Sequence, residues 1–204
     1  MQGIQNIIFD LGGVIINLDN KLTEKAFVDL GAKDFRKYFG HGFAASFFSD
    51  YEVGKISDEQ FISDLKKMIE VDMPDEVIMD AWDALLLNFP PERIRLLEVL
   101  KKKYRIFLFS NTNSLHLKKV QSIYRNEFRK GSLEDHFEKT YYSHLIQLRK
   151  PDAASFEYII RENNLDPAAT MFVDDAQVNV DGANATGLKG FYLAPGTSIT
   201  DLEW

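Results

Sequence analysis

Asp10, the pair Ser110-Asn111, Lys150 and the pair Asp174-Asp175 form a set suited to phosphoryl transfer. A carboxylate at Asp10 can act as a nucleophile and carry the phosphoryl group as an acyl phosphate, which splits one hard displacement into two easier ones. Carboxylates gathered at one place repel each other unless a hard divalent cation neutralises them, and Mg2+ with its oxygen ligands meets that need. Lys150 would hold the phosphoryl oxygens as a point charge, while Ser110 and the backbone amides from Asn111 onward would donate hydrogen bonds to them. Positioning and charge neutralisation are most of the work in this reaction class. Taken singly, each residue has a plainer use: an Asp after a strand shapes a turn, Ser-Asn caps a helix, and Arg149-Lys150 is a solvated pair.

What lifts the set above its parts is where the elements put it. Ile4 to Phe9 is a short apolar run ending at a Gly12-Gly13 turn, so it reads as a buried strand with Asp10 at its C-terminal end. Ile106 to Phe109 reads as a strand running into Ser110-Asn111, and Met171 to Val173 as one running into Asp174-Asp175. Thr140 to Ser143 and Phe191 to Leu193 complete the strands. Helices are predicted over Glu92–Tyr104, from Ser114, over Ala153–Asn163 and over Val180–Thr186, the last closed by Gly187. Helices alternating with short apolar strands imply an α/β fold with a doubly wound parallel sheet, and in such sheets ligands sit at the carboxyl ends of the strands.

Residues 18–89 read differently. They are helical throughout, with a predicted capping box at Ser57 and Gln60, a staple between Ile56 and Phe61, and an apolar face of Phe61, Leu65, Met68 and Ile69. Pro74 separates that helix from one expected over Asp75–Leu87. The organisation is therefore a core of residues 1–17 and 90–204 with a small all-helical cap, 18–89, inserted after the first strand and lying over the strand ends.

Composition narrows the function. With 45% hydrophobic and 27% charged residues the chain is ordinary globular protein. A net charge of −7 speaks against general affinity for nucleic acid or anionic membrane, so any anion site must be local. The absence of cysteine excludes disulfides, thiolate catalysis and Cys-based metal sites. No apolar run approaches the roughly 18 residues of a membrane span, and Met1–Phe9 is too short for a signal-peptide core, so a cytoplasmic location is expected. His41, His116, His136 and His144 lack metal-ligand spacing and are expected at surfaces or interfaces. The aromatic run Phe35, Tyr38, Phe39, Phe43, Phe47, Phe48 and Tyr51 is expected to pack the cap's own interior. No obligate protein partner is evident.

The same residues carry a family resemblance. Phe9-Asp-Leu-Gly-Gly-Val-Ile15 resembles the first motif of the haloacid dehalogenase superfamily, Leu108-Phe-Ser-Asn-Thr112 its second, Arg149-Lys-Pro151 its third and Phe172-Val-Asp-Asp175 its fourth. Closer in, Asp10-Leu-Gly12, Ser110-Asn-Thr-Asn113, Gly54-Lys-Ile-Ser-Asp58 and Asp181-Gly-Ala-Asn184 resemble the bacterial α-D-glucose-1-phosphate phosphatase subgroup. The resemblance implies a phosphatase using Mg2+ on a small phosphorylated metabolite, such as a hexose 1-phosphate. It implies Asp10 as nucleophile and metal ligand, Gly12 as a metal ligand through its backbone carbonyl, and Asp175 as the better-aligned ligand of its pair. Asp174 would then lie nearby or in the outer shell, with Asn179 behind it.

Position 12 departs from the superfamily pattern, which has there the aspartate that protonates the leaving group. Positioned acid–base catalysis is typically worth about 10²–10⁴ in rate. Three outcomes follow: a substrate that needs less help, a substitute acid from the insertion with Asp19 and Glu52 as candidates, or a slow enzyme. A catalytically degenerate protein that only binds a phosphometabolite or a partner is the main alternative. A dehalogenase is the lesser one, since carbon–halogen cleavage needs neither a metal nor paired carboxylates.

Overall fold

A computed structural model of the chain describes residues 1–32, 35 and 46–204. His41 and the aromatic residues Tyr38, Phe39 and Phe43 lie outside the described residues. Among the described residues, β1 (Asn6–Phe9), β2 (Arg105–Ser110), β3 (Lys139–Tyr142), β4 (Thr170–Asp174) and β5 (Lys189–Tyr192) form one sheet in the order β3-β2-β1-β4-β5, with every pairing parallel. The α/β class expected from the sequence is what the chain adopts.

The central strands β1, β2 and β4 are buried on both faces. Alternation along them divides the core: Ile7, Phe9, Ile106, Leu108, Met171 and Val173 belong to one apolar cluster, and Ile8, Phe107, Phe109 and Phe172 to another. Helices α5 (Pro91–Leu100) and α6 (Ser114–Phe128) cover the first face, and α8 (Ala153–Glu162) and α9 (Gln177–Ala185) the second. Each fully buried Phe in these layers contributes roughly 1.5–3 kcal/mol.

Between β1 and α5 lie α1 (Asn20–Asp29), α2 (Ser46–Glu52), α3 (Asp58–Ile69) and α4 (Asp75–Asp83), with an apolar cluster of their own built on Phe27, Phe35, Tyr51, Phe61, Leu65, Ile78 and Trp82. Tyr51 stacks on Phe61 at 4.0 Å between centroids, and Phe61 meets Trp82 at 4.9 Å. The two chain crossings into and out of this insertion pair with each other: Leu18 bridges Leu86, and Asn17 and Leu87 are hydrogen-bonded at 3.0 Å.

Several local expectations are corrected. At Ser57 the capping box forms only half: Ser57 Oγ accepts the Gln60 N–H, while the Gln60 amide turns to Asp64 at 2.7 Å. Helix α4 ends at Asp83 rather than Leu87, because the Leu85 N–H donates instead to Thr23 Oγ1 at 3.0 Å. His136 is neither surface nor interface; it is buried, with Tyr124 Oη 2.5 Å from its Nε2. The short helix α7 (Ser143–Ile146) was not expected.

Candidate active site

The parallel register sets Asp10 and Asp174 side by side. Phe9 pairs with Val173, and the Asp10 N–H donates to Val173 O at 2.9 Å, so the carboxylate emerges as β1 ends. Ser110 closes β2 on the other side and is buried. Lys150 arrives from the segment between α7 and α8 and is 1% exposed. A bare ammonium there would be prohibitively costly, so its surroundings must compensate.

They do so with two carboxylates and two rings. Lys150 Nζ donates to Asp10 Oδ1 at 2.6 Å and to Asp174 Oδ2 at 2.7 Å. The rings of Phe109 and Phe172 lie 5.4 and 5.3 Å from Nζ, placing the charge between two aromatic faces. Asp174 is fully occupied by protein donors. Its Oδ1 accepts the Ala176 N–H at 2.8 Å, and the Asn179 amide reaches both oxygens at 3.1 Å. Asp174 therefore serves to position Lys150, and Asn179 to position Asp174.

Asp175 is the carboxylate left facing outward. Ligand atoms of Asp10, Asp174 and Asp175 all lie within 4.8 Å of one another. This closeness depends on Gly13, whose φ is +71° and where an added Cβ would stand 2.0 Å from Asp175 Oδ2. Gly12, two residues past Asp10, lies in the same turn, which bridges to Ile16.

Electrostatics expose the strain of the arrangement. Burial pushes the Asp10 carboxyl up to about 7; Lys150 pulls against this, while Asp174 and Asp175 add to it. Asp175 is likewise raised, first by its desolvated surroundings and then by Asp174. Burial disfavours the Lys150 charge, but Asp10 and Asp174 outweigh it, and the proton is held more tightly than in free lysine. An all-oxygen donor set with carboxylates in mutual repulsion is what a hard divalent cation would relieve, so the residues present fit Mg2+.

The expectation at Asn111 was for its backbone N–H; the side chain is committed to the backbone of Lys150. Its amide nitrogen donates to Lys150 O and its oxygen accepts the Lys150 N–H, both at 2.9 Å. Only the Asn111 backbone is then left for a ligand. Phe109 and Phe172 were missed as part of the site, since an aromatic residue in a buried strand reads as core. Their signal is position: each lies one or two residues before a strand's polar end.

The insertion closes against this edge. Ser143 Oγ donates to Glu52 O at 2.7 Å and accepts the Thr112 N–H at 2.9 Å. Glu52 Oε2 lies 2.7 Å from Arg149 Nε. Asp58 accepts hydrogen bonds from Tyr51 at 2.7 Å, Ser114 at 3.2 Å and Lys118 at 2.7 Å, joining α2 and α3 to α6. His116 Nε2 donates to Trp82 O at 3.1 Å, which leaves Nδ1 to accept from the Asn113 amide at 3.2 Å.

Comparison with known proteins agrees with this geometry. The profile of the haloacid dehalogenase-like hydrolases matches residues 4–187. The chain belongs to this family. It is 28% identical over 190 residues to the D-ribitol-5-phosphate phosphatase of Bacteroides thetaiotaomicron, covering 92% of this chain and 91% of that protein. A haloacid dehalogenase family enzyme of the same bacterium, solved as a complex with magnesium and inorganic phosphate, superposes with a TM-score of 0.88 at 31% identity, covering 98% of this chain and 100% of the other. A predicted hydrolase of this family from Porphyromonas gingivalis gives a TM-score of 0.85 at 30% identity over 95% and 92% of the two chains. Among the described residues, no helix is long and apolar enough to cross a membrane.

Proposed function

We propose that this chain is a magnesium-dependent phosphatase acting on the phosphomonoester of a small sugar or sugar alcohol. The observation that carries the reading is the Lys150 ammonium bonded at once to Asp10 and Asp174 beside Asp175. The similarity to a D-ribitol-5-phosphate phosphatase supports the substrate class. Both a pentitol 5-phosphate and the hexose 1-phosphate expected from the motifs fall within it.

In this reading Asp10 attacks phosphorus in line with the departing oxygen. The phosphoryl group passes to the Asp10 carboxylate, and water then releases it as inorganic phosphate. Lys150 orients Asp10 and opposes the burial that disfavours its charge, and its own charge offsets that gathering on the phosphoryl oxygens. Ser110 and the Asn111 backbone N–H supply hydrogen bonds to those oxygens. Asp10, Asp175 and the Gly12 carbonyl would hold Mg2+, which supplies charge neutralisation between enzyme and phosphate when bound. Asp174 stays behind them as the anchor of Lys150. The helical insertion caps the crevice, excludes water and selects substrates by shape.

Gly12 favours a second reading, in which the chain binds a phosphometabolite without turning it over. Phosphate release from a panel of pentitol, pentose and hexose phosphates, with Mg2+ and with excess chelator, separates the two. Magnesium-dependent release that Asp10→Asn abolishes supports the phosphatase. A folded wild-type chain that binds Mg2+ and releases no phosphate from any ester would leave the binding protein.

A further inference from the structure

The proposed hydrolysis needs a proton at the departing oxygen, and position 12 has no side chain to give one. Nor is the space open: a Cβ on Gly12 would stand 2.6 Å from Leu18 Cδ1, so an apolar group already fills that direction. Of the three outcomes open at Gly12, a substitute acid from the insertion is the one whose candidates can be compared by their contacts.

Asp19 is committed locally. It caps α1, its Oδ1 accepting the Lys21 N–H at 3.0 Å on the exposed side of the helix. Asp83, at the end of α4, faces His116 of α6 at 3.8 Å, in the seam between insertion and core. Glu52 stands apart. It ends α2, and one hydroxyl, Ser143 Oγ, ties its carbonyl to Thr112, two residues past Ser110. Its carboxylate meets Arg149, the residue before the lysine that grips Asp10. The side chain keeps 26% of its exposure.

We propose that Glu52 is the acid–base residue of this site, delivered by the insertion in place of the aspartate absent at position 12. The inference rests on the phosphatase reading. Its proton balance is simple. As the bond from phosphorus to the ester oxygen breaks and the Asp10–phosphorus bond forms, the Glu52 carboxylic acid gives its proton to the departing oxygen, which leaves as an alcohol. Glu52, now a carboxylate, takes a proton from water as the water oxygen attacks phosphorus and the Asp10–phosphorus bond breaks. Phosphate leaves, and both side chains return to their starting states. Burial raises the proton affinity of Glu52 more than Arg149 and Lys150 lower it, the direction an acid needs.

The test compares two esters on the full chain with Mg2+. Ribitol 5-phosphate releases an alkoxide that needs a proton; 4-nitrophenyl phosphate releases a stable phenolate that does not. Glu52→Gln should lower kcat/KM on the alkyl ester by about 10²–10⁴, and on the aryl ester by less than about tenfold. Arg149→Gln breaks the same ion pair but keeps the carboxyl, so its losses on the two esters should be alike. Equal losses in Glu52→Gln, or an equally selective loss in Arg149→Gln, would overturn the assignment and leave Glu52 a seam residue. If Glu52→Gln melts below assay temperature, Glu52→Asp makes the same comparison, and an unselective loss there overturns it too. A wild-type chain that hydrolyses neither ester defeats the phosphatase reading and this inference together; an active wild type with an unselective Glu52 variant defeats the inference alone.

Discussion

Asn111 and Lys150 are joined at two points, the Asn111 amide donating to Lys150 O and accepting from Lys150 N–H, each at 2.9 Å. One side chain thus fixes the backbone that aims the buried ammonium. Asn111→Ala should remove both bonds and leave two backbone groups unpaired, at about 1–3 kcal/mol each if no water replaces the amide. Turnover should fall with stability, because Lys150 loses its aim. A variant with normal melting and normal turnover would show that the clamp is dispensable.

Lys150 itself compensates two carboxylates. Lys150→Met should leave Asp10 and Asp174 uncompensated, a loss of about 3–5 kcal/mol in denaturant unfolding without metal. Adding Asp174→Asn should return part of that stability without returning hydrolysis. If the double variant is no more stable than the single one, charge compensation is not what Lys150 contributes.

Gly12→Asp alone should gain little, since Leu18 Cδ1 occupies the space. Paired with Leu18→Ala, it should raise kcat/KM on an alkyl phosphate, and in a Glu52→Gln background it should rescue at least about tenfold. Folded, metal-binding variants with no rescue would mean that position 12 cannot present an acid in this turn.

The seam between insertion and core holds two titrating groups with opposite effects. Burial keeps His116 neutral down to about 4, against an ordinary 6.5. The folded chain then binds fewer protons than the unfolded one in that window, and this contribution to stability is lost as pH falls through it. Burial also holds the Asp83 proton up to about 7 from an ordinary 3.8, so its contribution falls as pH rises across that window. Between roughly pH 4 and 6.5 the two slopes oppose each other. Asp83→Asn should therefore lose stability on acidification more steeply than wild type, and His116→Gln less steeply. Melting temperatures that run parallel in all three chains would sink this account.

Gly54 and Gly196 provide a matched pair. Their φ angles are +69° and +84°, but a Cβ on Gly54 would stand 2.2 Å from His144 O, whereas nothing lies within 4 Å at Gly196. Gly196→Ala should cost only backbone strain, about 1–2 kcal/mol. Gly54→Ala should cost more and push the insertion off α7, raising KM as well. Equal melting shifts would mean that the close approach at His144 relaxes freely.

The sheet and its polar edge were legible because buried strands announce themselves. An unbroken apolar run such as Ile7 to Phe9 has few other uses, and the carboxylate after it can only lie at the strand's end. The end of α4 was not legible. Its competitor is a hydroxyl from Thr23, 62 residues away in sequence, and helix propensity carries no trace of such a partner. The partner of the Asn111 side chain was hidden for a related reason. An amide beside a strand end reads as a cap or a ligand contact, and only the folded approach of Lys150 shows which backbone it binds. Glu52 could be nominated from the sequence, but what separates it from Asp19 is the burial and the Arg149 contact that folding brings.

Leu115 is 8% exposed and belongs to the apolar cluster of the insertion, although it lies in the first turn of α6, directly beyond Ser110-Asn111. The boundary drawn through the chain at residues 18–89 is therefore not the boundary of packing. A chimera that exchanged this segment for a relative's would keep Leu115 as part of a foreign interior, and a mismatched neighbour there would strain the turn that presents Ser110. Substrate preference in this fold would then travel between relatives only with a matching residue at position 115, which makes that position a partner in any swap of specificity.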